Sequence, residues 1–422
     1  MIKKVLGTAG SRILTSALSL ILVLLYGRTL GPEGAAEIGL VVLGITIVLL
    51  LSNFVTGGAL VYLTPREKPF LLFLPAYVWA FFSAVVLSYG LDRFHLLPPG
   101  MLHHVLFLSL IFSWHTANLN ILLGKERVGA FNSASVVQIV TLFTAFLFFV
   151  YIRDQLTVMS YVYSLYLSYG LSFLYSLILV LPELKYADLY DLGPVILRIF
   201  RYGSFVQFAN TLQLLNYRLS YYLIKAFLGN ARLGVFQVGN QLSEGLWIVG
   251  KSMALVQYSR IANTSDAQYA KVLTVRFLKL TVLVTLILLS VLWILPESFY
   301  TWILTDKFAG IKTVIWYLSP GIMAIAGNLI LSHFFSGTGR HHHNAISSGI
   351  GLFFTVLLGF LLIPTLGISG AAITASVSYM ATCTYQMIQF FRLTQVSVRE
   401  LVIVAEDFRF FMREIRNWIK KS

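Results

Sequence analysis

Four charged side chains stand inside stretches otherwise suited to hydrocarbon: Arg218, Lys225, Glu244 and Lys251. A charge in that setting is costly, so each marks a functional position or one half of an ion pair. Guanidinium and ammonium groups held there bind anions, and Arg grips carboxylate or phosphate oxygens in bidentate fashion. A carboxylate in a partly dehydrated cleft can exchange a proton or hold Na⁺.

Polar neighbours accompany these charges at helical spacing. Gln207, Asn210, Arg218, Tyr221 and Lys225 fall within about 80° of one helical face. Gln237, Asn240, Gln241, Glu244 and Lys251 cover about 100° of the next helix. A lipid-facing helix would not carry such stripes, so they predict a wet cleft. Arg218 and Glu244 both lie roughly 14–15 Å from the outer ends of their helices. Equal depth lets them neutralise each other. Lys225 lies near an outer end, where it can snorkel. Lys251 is deeper and has no obvious acidic neighbour, so it is the first choice for an anion contact. Glu244 is the candidate ion-coupling residue, and Glu244→Gln is expected to alter ion dependence while leaving folding intact.

The elements that must position these residues are transmembrane helices. The 422 residues are 58% hydrophobic and 11% charged, with a mean hydropathy of +0.80. A soluble domain carries roughly 25% charged residues. Continuous apolar runs of about 20 residues read as spanning helices. They fall near 9–27, 38–63, 70–91, 101–123, 133–151, 157–181, 204–227, 234–258, 275–295, 312–335, 345–364 and 370–391. With Arg12, Arg276, Lys279 and Lys312, which stand near span ends, counted with the adjoining loops, twenty-two of the 31 Lys and Arg fall on one side, six on the other and three inside spans. That bias places both termini in the cytoplasm. It also explains the net charge of +14 without nucleic-acid binding. The apolar N-terminal run lacks a small-residue cleavage site and reads as a retained first helix.

A weak repeat organises the chain. Leu30-Gly31 closes the first span and Leu228-Gly229 the seventh; Gly124 to Asn132 and Gly337 to Asn344 form a second pair. Six spans separate equivalent points, which gives two six-helix lobes of parallel topology related by an axis along the membrane normal. The expected division is an N-terminal lobe 1–181, a cytoplasmic linker 182–203, a C-terminal lobe 204–391 and a basic tail 392–422. Such lobes frame a central cleft suited to alternating access. In the tail, Leu401, Phe408, Phe411, Met412, Ile415 and Ile419 recur at helical spacing among Arg and Lys. That pattern predicts an interfacial helix on anionic inner-leaflet lipids.

Three segments carry a family resemblance. Tyr26 to Gly39 (YGRTLGPEGAAEIG), 217–262 (YRLSYYLIKAFLGNARLGVFQVGNQLSEGLWIVGKSMALVQYSRIA) and 359–373 (GFLLIPTLGISGAAI) resemble polysaccharide exporters. These belong to the multidrug/oligosaccharidyl-lipid/polysaccharide (MOP) flippase superfamily, and the chain is similar to its Wzx-type O-antigen and exopolysaccharide flippases. The resemblance implies a V-shaped all-α polytopic membrane protein of about twelve spans with a central cavity. It implies translocation of undecaprenyl-diphosphate-linked oligosaccharide from the cytoplasmic to the periplasmic leaflet of a bacterial inner membrane. It further implies coupling to H⁺ or Na⁺ and cooperation with polysaccharide polymerase or chain-length machinery. The diphosphate and sugar would then be met by Arg218, Lys251, Lys225, Gln207, Asn210, Gln237, Asn240, Gln241 and Arg28. Some relatives carry an acidic residue where this chain has Ser220.

Rival readings have less to stand on. A drug/cation antiporter on the same fold calls for an acidic cleft, whereas here three cations face one carboxylate. A membrane glycosyltransferase or O-antigen polymerase calls for paired catalytic groups on sizeable loops, and the outer loops are short. His341-His342-His343 point in different directions and read as a polar loop rather than a metal site. Asn53, Thr56, His115 and Asn118 read as interhelical hydrogen-bonding residues. The tyrosines from Tyr161 to Tyr175 could stack on sugars, though packing and interface belts explain such residues more often. No cofactor is expected.

Overall fold

The computed structural model describes residues 2–184, 192–264 and 266–402, and among them every regular element is a helix. The tail read as an interfacial helix lies outside the described residues beyond 402. In order the α-helices are α1 (Ile2–Thr56), α2 (Gly58–Leu63), α3 (Pro69–Arg93), α4 (Leu102–Gly124), α5 (Val128–Leu147), α6 (Val158–Val180) and α7 (Leu192–Leu228). There follow α8 (Asn230–Gly245), α9 (Trp247–Ala262), α10 (Ala267–Ile294), α11 (Glu297–Ile303), α12 (Ile311–Gly337) and α13 (His342–Thr394).

Among the described residues eight helical stretches are long and apolar enough to cross a membrane. Two of them, α1 and α13, hold two expected spans each. The loops expected at 28–37 and 365–369 shrink to single non-helical glycines, Gly31 (φ 70°, ψ −176°) and Gly367 (φ 63°, ψ −140°). In α13 the chain doubles back. The Ser378 hydroxyl donates to the Gly351 carbonyl at 2.8 Å and the Gln386 amide donates to Asn344 Oδ1 at 2.9 Å. Residues 27 and 42 apart in a straight helix would be roughly 40 and 63 Å apart. The seventh and eighth expected spans fall outside the eight, one because it is too polar and the other because it is divided into two helices of 16 residues each. They are α7 and the pair α8–α9, which brings the total to the expected twelve.

The repeat has a backbone signature. Gly229, between α7 and α8, has φ 84° and ψ 176°, the conformation of Gly31. That region is essentially closed to residues with a Cβ. The second pair matches in its hydrogen bonds. After Gly124 the amides of Lys125, Glu126 and Arg127 bond the carbonyls of Ile121, Leu123 and Leu122; after Gly337 those of Thr338, Gly339 and Arg340 bond Phe334, Ser336 and Phe335. Glu126 (φ 57°) and Gly339 (φ 74°) hold equivalent left-handed positions. This is the Schellman closure of a helix end. Gly124 packs against Thr64 and Gly337 against Ile261. In each half a glycine at one helix end thus lets another helix end approach closely.

The chain divides into two compact units, one of Leu6–Thr211 and one built on Leu212–Ser422. The division falls inside α7 rather than in the expected linker 182–203. The reason is local: Val195 and Ile199 of α7 are buried with Leu60, Leu72 and Ile121 of the first unit. Gly203 meets the Phe54 backbone so closely that no Cβ would fit. In the same unit Ser160, Ser164, Ser168, Ser172 and Ser176 recur every four residues along α6, all fully buried. Their small side chains let helices pack without bulk, as in many membrane bundles. Tyr161 and Tyr169 are buried beside them, so these two serve packing. In the second unit α12 is central. Gly321 lies against Ser376 of α13, Gly327 against Leu278 of α10 and Gly337 against Ile261 of α9.

Substitution of Gly229 by Ala is expected to cost about 1–3 kcal/mol through backbone strain, because nothing lies within 4 Å of the new Cβ. Gly58→Ala, equally open but with ordinary φ, should be neutral or mildly stabilising. Thermal unfolding in detergent compares the two; equal midpoints would contradict the strain argument.

Candidate functional site

The second unit brings four of the expected residues into one closed polar group. Arg218 of α7 and Glu244 of α8 form a bidentate pair, with both N–H···O distances at 2.7 Å. Arg218 also donates to the Tyr221 hydroxyl at 3.0 Å. Asn240 donates to the same hydroxyl at 3.2 Å and to Glu244 Oε1 at 2.8 Å. Helical spacing makes this possible: 218 and 221 share a face of α7, and 240 and 244 share a face of α8. The side chains of Arg218 and Glu244 are only 25% and 14% exposed. The two side chains thus meet across α7 and α8.

This pairing changes the reading of Glu244. Its carboxylate already accepts from Arg218 twice and from Asn240. Removing it would leave a largely buried guanidinium uncompensated, a loss of about 3–5 kcal/mol for a buried pair. The expectation that Glu244→Gln leaves folding intact is corrected on that ground.

Aromatic rings continue the group toward α9. Tyr217 lies 5.6 Å from Trp247 and 5.3 Å edge-on to Tyr379 of α13. Gln213 donates to the Tyr217 hydroxyl at 3.1 Å. Lys251 is exposed, and its ammonium lies 5.4 Å from the Trp247 ring centroid. That is cation–π range, worth roughly 0.5–1 kcal/mol at an exposed site. Lys225 is half-buried at the last turn of α7. Gln237 is fully buried on the face of α8 that carries Asn240, and neither its amide oxygen nor its nitrogen has a protein partner. Gln241 is half-buried on the next turn.

Other expected members fall elsewhere. Gln207 and Asn210 belong to the first unit. There Gln207 is buried and donates to the Leu50 carbonyl at 3.3 Å, while Asn210 donates to Gln207 Oε1 at 2.9 Å. The stripe read along one face of α7 is thus divided: its first turns serve one unit and its later turns the other. Arg28 is exposed, three residues before the Gly31 junction. His115 bonds Ser176 at 3.0 Å, and Asn118 accepts from Tyr77 at 2.9 Å, as interhelical residues should. Asn53 and Thr56 instead bond each other within α1. His342 and His343 open α13 rather than forming a loop, and His343 bonds Tyr385 at 3.1 Å. Among the described residues no cluster fit for a metal ion occurs.

One buried group escaped the sequence reading. Asn216, 3% exposed, accepts from Thr355 at 2.8 Å and from Ser378, both of α13. It lies two residues before Arg218, about 200° away around the helix. α7 is therefore polar toward α8 on one side and toward α13 on the other. A lone Asn within an apolar stretch was the available signal.

No family model matches the chain and no curated relative matches it. Solved structures do match in fold. An inward-facing multidrug resistance MATE family transporter of the MOP superfamily superposes with a TM-score of 0.70 at 14% identity, covering 93% of this chain and 100% of the other. A MOP superfamily transporter from Pyrococcus furiosus, described as having a binding pocket of reverse polarity that suggests a different function, gives 0.69 at 14%, covering 93% and 96%. A Vibrio cholerae MATE transporter gives 0.66 at 12%, covering 95% and 98%. The chain has the fold of these transporters along nearly its whole length.

Arg218→Met and Glu244→Leu are each expected to destabilise by about 3–5 kcal/mol, and the double variant to recover most of that loss. Unfolding midpoints of the three variants in detergent give the coupling; additive losses would contradict the pairing.

Proposed function

We propose that this chain is an alternating-access transporter of the MOP superfamily. Its cargo is a polyprenyl-diphosphate-linked oligosaccharide, as in Wzx-type flippases. The observation that carries the reading is the charge balance within the apolar spans 204–227 and 234–258, which hold Arg218, Lys225, Glu244 and Lys251. Glu244 is saturated by Arg218 and Asn240, so Lys225 and Lys251 leave a surplus of two positive charges on these spans. A diphosphate head can be held by such cations, while its apolar tail remains in lipid.

The bias of Lys and Arg supports an orientation with both termini in the cytoplasm, and a bacterial inner-membrane setting goes with the flippase reading. Coupling to H⁺ or Na⁺ and work alongside a polysaccharide polymerase or chain-length machinery belong to the same proposal. The second reading is a cation-coupled drug antiporter, favoured by the multidrug transporters that share the fold. It requires a carboxylate able to meet a cationic drug, and Glu244 already faces a guanidinium.

Proteoliposomes loaded with a lipid-diphosphate oligosaccharide test the proposal. Lys251→Ala is expected to slow translocation about tenfold, the value of one charge-assisted hydrogen bond. Lys251→Arg should retain most activity. Full activity in Lys251→Ala would remove this residue from the cargo path, and absence of translocation by the unaltered protein would reject the cargo.

A further inference from the structure

The first unit holds a second feature that the cargo reading does not use. A cavity of about 470 Å³ lies between α3 and the opening turns of α7. Its lining is apolar throughout, with Val55 at the end of α1, Val78, Trp79 and Phe82 from α3, and Ile196 and Phe200 from α7. Trp79 is fixed in place: its indole N–H donates to the Leu51 carbonyl at 2.9 Å, and its ring meets Phe200 edge-on at 4.9 Å. Val78 and Phe82 are 62% and 51% exposed, so the groove opens outward.

Charges gather where α3 begins and α7 crosses it. Arg66 and Lys68 precede α3, and Arg198 and Arg201 stand on the turns of α7 that line the groove. Arg198 pairs with Glu67 at 2.8 Å. Arg66 lies over the Tyr62 ring at 3.9 Å, and Tyr62 in turn lies 4.5 Å from Tyr202. Four cations against Glu67 leave a surplus of three. Lys68 and Arg201 are exposed. The Lys and Arg distribution puts this end on the cytoplasmic side, where the leaflet is anionic.

None of these cations lines the groove; they stand at the beginnings of the two helices that do, and an apolar groove beside a cationic patch matches one kind of molecule. The geometry points to a binding site for an anionic phospholipid of the inner leaflet, with one acyl chain in the groove along Trp79 and the phosphate head among Arg66, Lys68 and Arg201. The site stands apart from the charges around Arg218 and Lys251, which belong to the second unit. It does not depend on which cargo the protein moves.

Tryptophan quenching by lipids brominated in one acyl chain reads the site directly. The purified full chain is placed in vesicles of phosphatidylcholine with increasing brominated phosphatidylglycerol, or with brominated phosphatidylcholine as the neutral match. The signal of interest is the quenching lost in Trp79→Phe. It is expected to reach half its maximum at about fivefold lower mole fraction of brominated phosphatidylglycerol than of brominated phosphatidylcholine. The double variant Arg66→Gln/Arg201→Gln, altered only at exposed side chains, should bring the two lipids together while the groove still quenches. Equal quenching by both lipids in the unaltered protein would overturn the proposal. A preference that survives the double variant would do the same. Stronger quenching by a brominated polyprenyl phosphate than by phosphatidylglycerol would assign the groove to a cargo tail instead, and would also overturn it.

Discussion

A charge placed within hydrocarbon must find its opposite, and in this protein that requirement ties α7 to α8. Arg218 and Glu244 cannot stand apart at their depth without a cost of several kcal/mol each. Their bidentate geometry, closed by Tyr221 and Asn240, fixes the register of the two helices. The opposite face of α7 is held by Asn216 against α13. The helix is thus located from two sides by polar contacts in a medium where hydrophobic burial discriminates little between partners. Lys225 and Lys251 take their meaning from this pairing, since Glu244 of the same spans is already engaged.

Backbone satisfaction is the companion constraint. Turns inside or near a bilayer are costly unless they free few amides and carbonyls. The chain meets this by reducing three connections to one glycine each, at Gly31, Gly229 and Gly367. A residue with positive φ and extended ψ redirects a helix at once, with almost no loop. The matched closures after Gly124 and Gly337 do similar work on another pair of connections. The repeat is therefore a repeat of backbone solutions, preserved where side-chain identity is not.

Much of this was legible in the residues. Apolar runs located most span ends to within a few residues; α1 and α10 begin earlier than read, at Ile2 and Ala267, and α7 departs furthest. Its first turns, around Arg198 and Arg201, look like a charged linker by composition. Val195 and Ile199 nevertheless bury themselves in the first unit. Helical geometry and depth foresaw the Arg218–Glu244 pair. They could not foresee that one straight stripe would serve two compact units, because a helical wheel carries no information on where packing partners change. Asn216 was missed for a related reason: its partners Thr355 and Ser378 are more than 130 residues away, and nothing local announces them. Gly367 was read as part of a five-residue turn because the sequence does not say how few residues a glycine with positive φ needs.

The central claim is that the spans α7–α9 present net positive charge to a cargo. The most direct measurement is equilibrium binding to the purified protein of a lipid-diphosphate oligosaccharide and, separately, of a lipophilic organic cation, across ionic strength. The account predicts that the diphosphate lipid binds more tightly, that its affinity falls as salt rises, and that the cation does not compete. Tight cation binding that the diphosphate lipid fails to displace would contradict it.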